Sequence, residues 1–168
     1  GVVFAKTFCW ANSANLVAVD TLAVVARQQP NSPGPILVIS DAQRDEVFAV
    51  EFQWSADTQH SLVNTAELRI RPVSELSALL KNTADRATLL TGPGLLKFRD
   101  RFPNNITFGS EETCCPTAVS VAELGHIQAA QQQFADIVTL EPVYVRRSYA
   151  EENSARPSAA EKQPSRST

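Results

Sequence analysis

The sequence predicts an α/β fold with a mixed sheet and flanking helices, and three observations carry that reading. Short runs of β-branched residues, such as Ile36-Leu37-Val38-Ile39, alternate along the chain with stretches of helical spacing. Proline and glycine fall between these stretches, in residues 30–35 and at Gly92-Pro93-Gly94. The 168 residues are 43% hydrophobic and 20% charged, the balance of an ordinary globular chain, and no apolar run approaches the roughly 20 residues that cross a bilayer.

The elements follow in order. Residues 2–11 mix Ala, Lys and large apolar side chains without Gly or Pro, which predicts a helix buried on more than one side, with Phe4, Phe8 and Trp10 as its bulk. Leu16 to Val19 reads as a short strand. Asp20 or Thr21 can cap the helix from Leu22 to Gln28 by accepting a bond from its unpaired N–H groups. Ile36 to Ile39 reads as a strand covered on both faces, followed by a polar turn from Asp41 to Asp45. From Val47 to Trp54, apolar Phe48, Val50, Phe52 and Trp54 alternate with a set that turns polar at Glu51 and Gln53, which predicts a hairpin near a sheet edge.

Downstream, Ser74 to Lys81 reads as a helix, Thr88 to Thr91 as a strand, Leu95 to Phe102 as a helix and Ile106 to Phe108 as a strand. Pro116 suits the first turn of the longest helix, which the pattern carries to about Ala135 on Ala118, Val121, Ala122, Leu124 and Ile127. Residues 142–145 form a last extended segment. Residues 148–168 hold too little apolar surface to offset the entropy of ordering, so residues 1–147 read as one α/β body with a disordered tail.

Charge and cysteine usage narrow the function classes. A net charge of −3 gives no general attraction for phosphate backbones, so any RNA contact is expected to be local or shared. Three cysteines, two of them adjacent (Cys114 and Cys115), argue against a secreted disulfide scaffold and for a reducing cytoplasm. The chain has no methionine and opens in what reads as a helix, so it is expected to be a fragment whose native start lies upstream.

The motifs that carry chemistry are weak. His60 and His126 stand far apart with no metal-ligand spacing, so no metal site is expected. Cys114 and Cys115 precede a helix start, where backbone N–H groups can lower a thiol pKa, but no base is near in sequence. Thr91-Gly92-Pro93-Gly94 joins a strand to a helix as phosphate loops do, yet it lacks the Gly-Lys-Ser/Thr signature and Pro93 has no N–H to offer, so a glycine turn is the favoured reading. Glu111-Glu112 and Glu151-Glu152 read as solvated charge. No catalytic constellation and no cofactor are expected.

The order of four stretches is more informative than any single residue. Gly1-Val2-Val3-Phe4-Ala5-Lys6, Leu16-Val17-Ala18-Val19-Asp20-Thr21-Leu22, Asp41-Ala42-Gln43-Arg44-Asp45-Glu46-Val47-Phe48 and Glu141-Pro142-Val143-Tyr144-Val145-Arg146 resemble, in that order, segments of the TsaB (YeaZ) family. The hairpin departs from the family pattern at Gln43, Asp45 and Phe48, where the family has arginine, glycine and tyrosine. Asp45 still tolerates a left-handed turn. The family's N-terminal half, with its glycine-rich loop, has no counterpart here.

The resemblance implies an actin-like, ribonuclease-H-like (ASKHA) α/β domain with the N-terminal half of the full protein missing. Residues 1–12 correspond to an interface helix of the preceding domain. The implied role is a non-catalytic accessory subunit in threonylcarbamoyl transfer to a tRNA adenosine beside the anticodon. Catalysis falls to a TsaD-like subunit, a TsaE-like ATPase joins the assembly, and tRNA is met only indirectly. Val2, Ala5, Lys6 and Phe8 are then the expected partner-binding residues, with internal packing of the same side chains as the alternative. Two other function classes stay open: a peptidase-like hydrolase with Cys115 as nucleophile, and a structural homodimer paired through the first helix.

Overall fold

The computed structural model describes residues 1–29, 32–55, 62–82, 87–143 and 145. Its elements are α1 (Val2–Asn12), α2 (Thr21–Arg27), β1 (Ile36–Asp41), β2 (Glu46–Trp54), β3 (Leu62–Asn64), β4 (Arg69–Pro72), α3 (Val73–Lys81), β5 (Leu89–Thr91), α4 (Leu95–Phe98), β6 (Thr107–Phe108) and α5 (Ala118–Ala130). The sheet runs β3-β2-β1-β5-β6, and β4 pairs with the other half of the β2 edge that β3 occupies. Strands β1 and β2 are antiparallel, whereas β1, β5 and β6 run parallel, so the sheet is mixed as expected.

Strand periodicity decides where the core lies. Leu37 and Ile39 of β1 join Val47 and Ala49 of β2 on one face, beneath Val73, Leu76 and Leu80 of α3 and Leu95 and Phe98 of α4. On the opposite face Ile36 and Val38 join Val50 and Phe52, covered by Leu22, Val25 and Ala26 of α2. Each fully buried aliphatic side chain contributes about 1.5–3 kcal/mol relative to exposure. The side chain of Asp20 starts α2 by accepting from the Ala23 N–H at 2.7 Å, which resolves the choice of cap.

Several expectations change. Strand β2 lies one strand in from the sheet edge, as the hairpin reading expects, but its outer side is itself paired, by the short strands β3 and β4. Neither of those strands shows alternation long enough to be read from sequence; they form because β2 offers them a ladder. Both faces of β2 are covered through Phe52, and only Gln53 is exposed. Leu16–Val19 does not form a strand: Leu16 makes a single bridge to Ala135, with the Ala135 N–H donating to the Leu16 carbonyl at 2.8 Å.

The helices shift as well. The longest helix runs from Ala118 to Ala130, because the Thr117 hydroxyl caps the Ser120 N–H and leaves Pro116 outside; Gln132 then turns left-handed and ends the run before Ala135. Leu124 and Ile127 are half-buried, but Ala118, Val121 and Ala122 face solvent. The helix at Leu95 stops at Phe98 and continues as a tighter single turn from Arg99 to Arg101. Residues 43–45 are all left-handed, with φ of 67°, 53° and 59°, so the turn extends the tolerance expected of Asp45 to Gln43 and Arg44. Pro30, His60, Tyr144, Arg146 and the tail from Ser148 lie outside the described residues. No helix among the described residues is long and apolar enough to cross a membrane.

Candidate functional site

Helix α1 differs most from its expectation. Cys9 alone is buried, while Val3, Phe4, Phe8 and Trp10 are exposed, so the helix is not enclosed on several sides. Phe4 and Phe8, one turn apart, stack with ring centroids 6.2 Å apart and form one apolar strip. At 100° per residue, Val3 and Trp10 share a neighbouring strip of the same outward surface.

The four residues expected to bind a partner divide between two sides. Ala5 and Lys6 are half-buried toward the body, Val2 sits at the rim, and Phe8 points outward with Phe4. Val2 and Ala5 line a cleft of about 720 Å³ closed by Leu16, Leu22, Phe48 and Leu140. The Lys6 ammonium donates to the carbonyls of Val138 at 3.1 Å and Leu140 at 2.8 Å, tying α1 to the last described segment. That segment is itself turned by the Val138 N–H donating to Asp136, a bond that holds the Asp136 carboxyl below its ordinary range.

Sequence reasoning missed Val3, Phe4 and Trp10 as surface residues. The signal was present in the Phe4/Phe8 spacing and in the near absence of charge along α1. Apolar residues on nearly every side of a helix read equally well as enclosure. The carbonyls of Val138 and Leu140 carry no sequence signal, since any residue supplies a carbonyl.

The remaining candidate motifs resolve into structure. Gly92 has φ of 111°, and a Cβ there would stand 2.2 Å from the Ile39 carbonyl oxygen, so only glycine fits. The Gly94 N–H donates to that same oxygen at 3.0 Å, and the next N–H groups close turns within residues 92–97. These donors are therefore used on the sheet and on the local turns rather than presented to a phosphate. Cys114 is buried and Cys115 half-buried, with sulfurs 4.0 Å apart. Burial, the larger cause, and the neighbouring Cys115 thiol push the Cys114 thiol above its ordinary range, the reverse of an activated nucleophile. His126 is exposed on α5. Among the described residues, no three His, Cys, Asp or Glu side chains gather to hold a metal ion.

No protein-family model matches the chain, and no curated protein matches it by sequence. Solved structures do match by fold. YeaZ from Pseudomonas aeruginosa superposes with a TM-score of 0.66 at 18% identity, covering 86% of this chain and 66% of that one. An uncharacterized Pseudomonas aeruginosa protein with similarity to peptidase YEAZ gives a TM-score of 0.68, also at 18% identity, covering 86% of this chain and 65% of that one. The chain thus spans just under two thirds of the length of either structure, and the likeness is one of fold: a mixed α/β sheet with flanking helices, similar to that of YeaZ.

Proposed function

We propose that this chain is a TsaB-like, non-catalytic accessory subunit of a tRNA-modifying assembly that installs threonylcarbamoyl on adenosine, docking through α1 onto a TsaD-like catalytic partner. In this reading the fold is an actin-like, ribonuclease-H-like (ASKHA) unit. A TsaE-like ATPase completes the assembly. The net charge of −3 fits a subunit that meets tRNA only through its partners.

The observation that carries the reading is the outer surface of α1. Val3, Phe4 and Trp10 are each about three-quarters exposed, at 77%, 75% and 76%, on a helix that Lys6 holds against the body. Contiguous exposed apolar surface marks a protein contact, and aromatic residues dominate the energetics of such contacts. The YeaZ-like fold supports the choice of partner.

A second reading, a homodimer paired through α1, rests on the same strip, since stacked Phe4 and Phe8 can face their own copies across a two-fold axis. Sedimentation of the chain alone and with a purified TsaD-like subunit separates the two. Heterodimerisation that Phe4→Asp with Trp10→Asp weakens at least about tenfold supports the accessory reading. Concentration-dependent self-association without the heterodimer selects the homodimer. A monomer that ignores the TsaD-like subunit sinks both.

A further inference from the structure

We infer that Cys114 and Cys115 form a vicinal dithiol site that low-molecular-weight disulfides oxidise to a strained internal disulfide, loosening the joint between α2 and α5. The two sulfurs lie 4.0 Å apart, and the Cys114 thiol also points at the Glu111 carbonyl at 3.1 Å. Cys115 is half-buried and Cys114 is 1% exposed, so an incoming disulfide meets Cys115 first.

The chemistry balances in two exchanges. The Cys115 thiolate attacks one sulfur of oxidised glutathione, forming a mixed disulfide and expelling one glutathione thiolate. The Cys114 sulfur then attacks the Cys115 sulfur, its proton passing to the departing glutathione sulfur, which releases the second glutathione as a thiol. The protein dithiol is oxidised by two electrons, and the glutathione disulfide is reduced to two thiols.

The strain has a definite place to go. Consecutive Cα atoms across a trans peptide are about 3.8 Å apart, below the ~4.4–6.8 Å of ordinary disulfides, so closing this ring twists the backbone between the two cysteines. That backbone is clamped: the Gln28 amide donates to the carbonyls of Thr113 at 2.9 Å and Cys115 at 2.8 Å, and its oxygen accepts from the Thr117 N–H at 3.1 Å. Gln29 adds a bond to the Thr113 hydroxyl at 2.8 Å. Thr117 caps α5, so twisting the 114–115 peptide pulls the Cys115 carbonyl from Gln28 and disturbs the first turn of α5 at once. Strained disulfides of this kind are readily reduced, which makes the change reversible.

The experiment equilibrates the full chain with mixtures of reduced and oxidised glutathione, followed by peptide mass spectrometry and hydrogen exchange. The expected product is a 114–115 peptide lighter by the two thiol hydrogens, with exchange raised at least severalfold over residues 113–121 and restored by dithiothreitol. Cys114→Ser traps the mixed disulfide on Cys115 and leaves exchange at Thr117 to Val121 close to that of the reduced protein. Wild-type protein that keeps both thiols, stops at the mixed disulfide, or closes the ring without raising exchange overturns the inference, and these readouts need no variant.

Discussion

Strand β1 and helix α1 are built from the same kind of sequence, apolar runs free of Gly and Pro, and they reach opposite environments. Ile36, Val38 and Ile39 have no exposed surface, whereas Val3, Phe4 and Trp10 keep three-quarters of theirs. A strand inserted between β2 and β5 has neighbours on both sides and helices on both faces. A helix at the margin has one covered side, and the rest of its apolar surface faces solvent. Apolarity states what a segment needs, while topology decides whether the chain supplies it.

The contrast can be pressed by mutation, beginning with the core. Ile39→Ala removes a fully buried side chain from the cluster beneath α3 and α4 and is expected to cost about 3 kcal/mol, read as a lower denaturant midpoint at unchanged slope. Gly92→Ala drives a Cβ into the Ile39 carbonyl from a left-handed backbone and is expected to cost about 2 kcal/mol or more. A variant as stable as the parent would mean that the β5 turn does not lock onto β1.

At the margin, Lys6→Ala cuts two charge-assisted bonds to carbonyls in a half-buried setting, and a loss of about 1 kcal/mol is expected together with faster exchange along α1. The Asp41–Lys97 pair, 2.8 Å long at the surface, is smaller still, at most about 1 kcal/mol after solvent screening. The bond from Lys97, followed by that from the Gln43 N–H, holds the Asp41 carboxyl below its ordinary value. Its contribution is therefore present above the unfolded-state pKa near ~3.9 and is lost as pH falls through the lower folded value. Acid titration of stability should show a shallower decline in Asp41→Asn than in the parent across that window.

The smallest effect belongs to the outer face of α1. Phe4→Ser or Trp10→Ser should change stability by less than about 0.5 kcal/mol. A thermal-melt loss of the size seen at Ile39 would show that the helix face is covered after all and would remove the basis for docking.

Sequence alone yielded the strands whose partners are unambiguous. Ile36–Ile39 is continuous and β-branched, and Val47–Trp54 alternates, so both announce themselves. Leu62–Asn64 and Arg69–Pro72 are short and polar enough to be strands only because β2 presents unpaired backbone groups. Leu16–Val19 fails for the converse reason: its residues favour a strand, but the structure gives Leu16 a single bridging partner. Of the candidate site, the helix itself was legible, and the family resemblance put forward Val2, Ala5, Lys6 and Phe8 as an expectation. Which of them face inward was not legible, because that depends on carbonyls more than a hundred positions away.

That separation has a consequence for biosynthesis. Lys6 is anchored by carbonyls 132 and 134 residues downstream. At translation speeds of about 5–20 residues per second, α1 leaves the ribosome on the order of ten seconds before its anchor exists. Through that interval two phenylalanines and a tryptophan travel on an untethered helix. Slower decoding of the codons before Val138 would lengthen the interval in which nothing ties α1 to the body through Lys6.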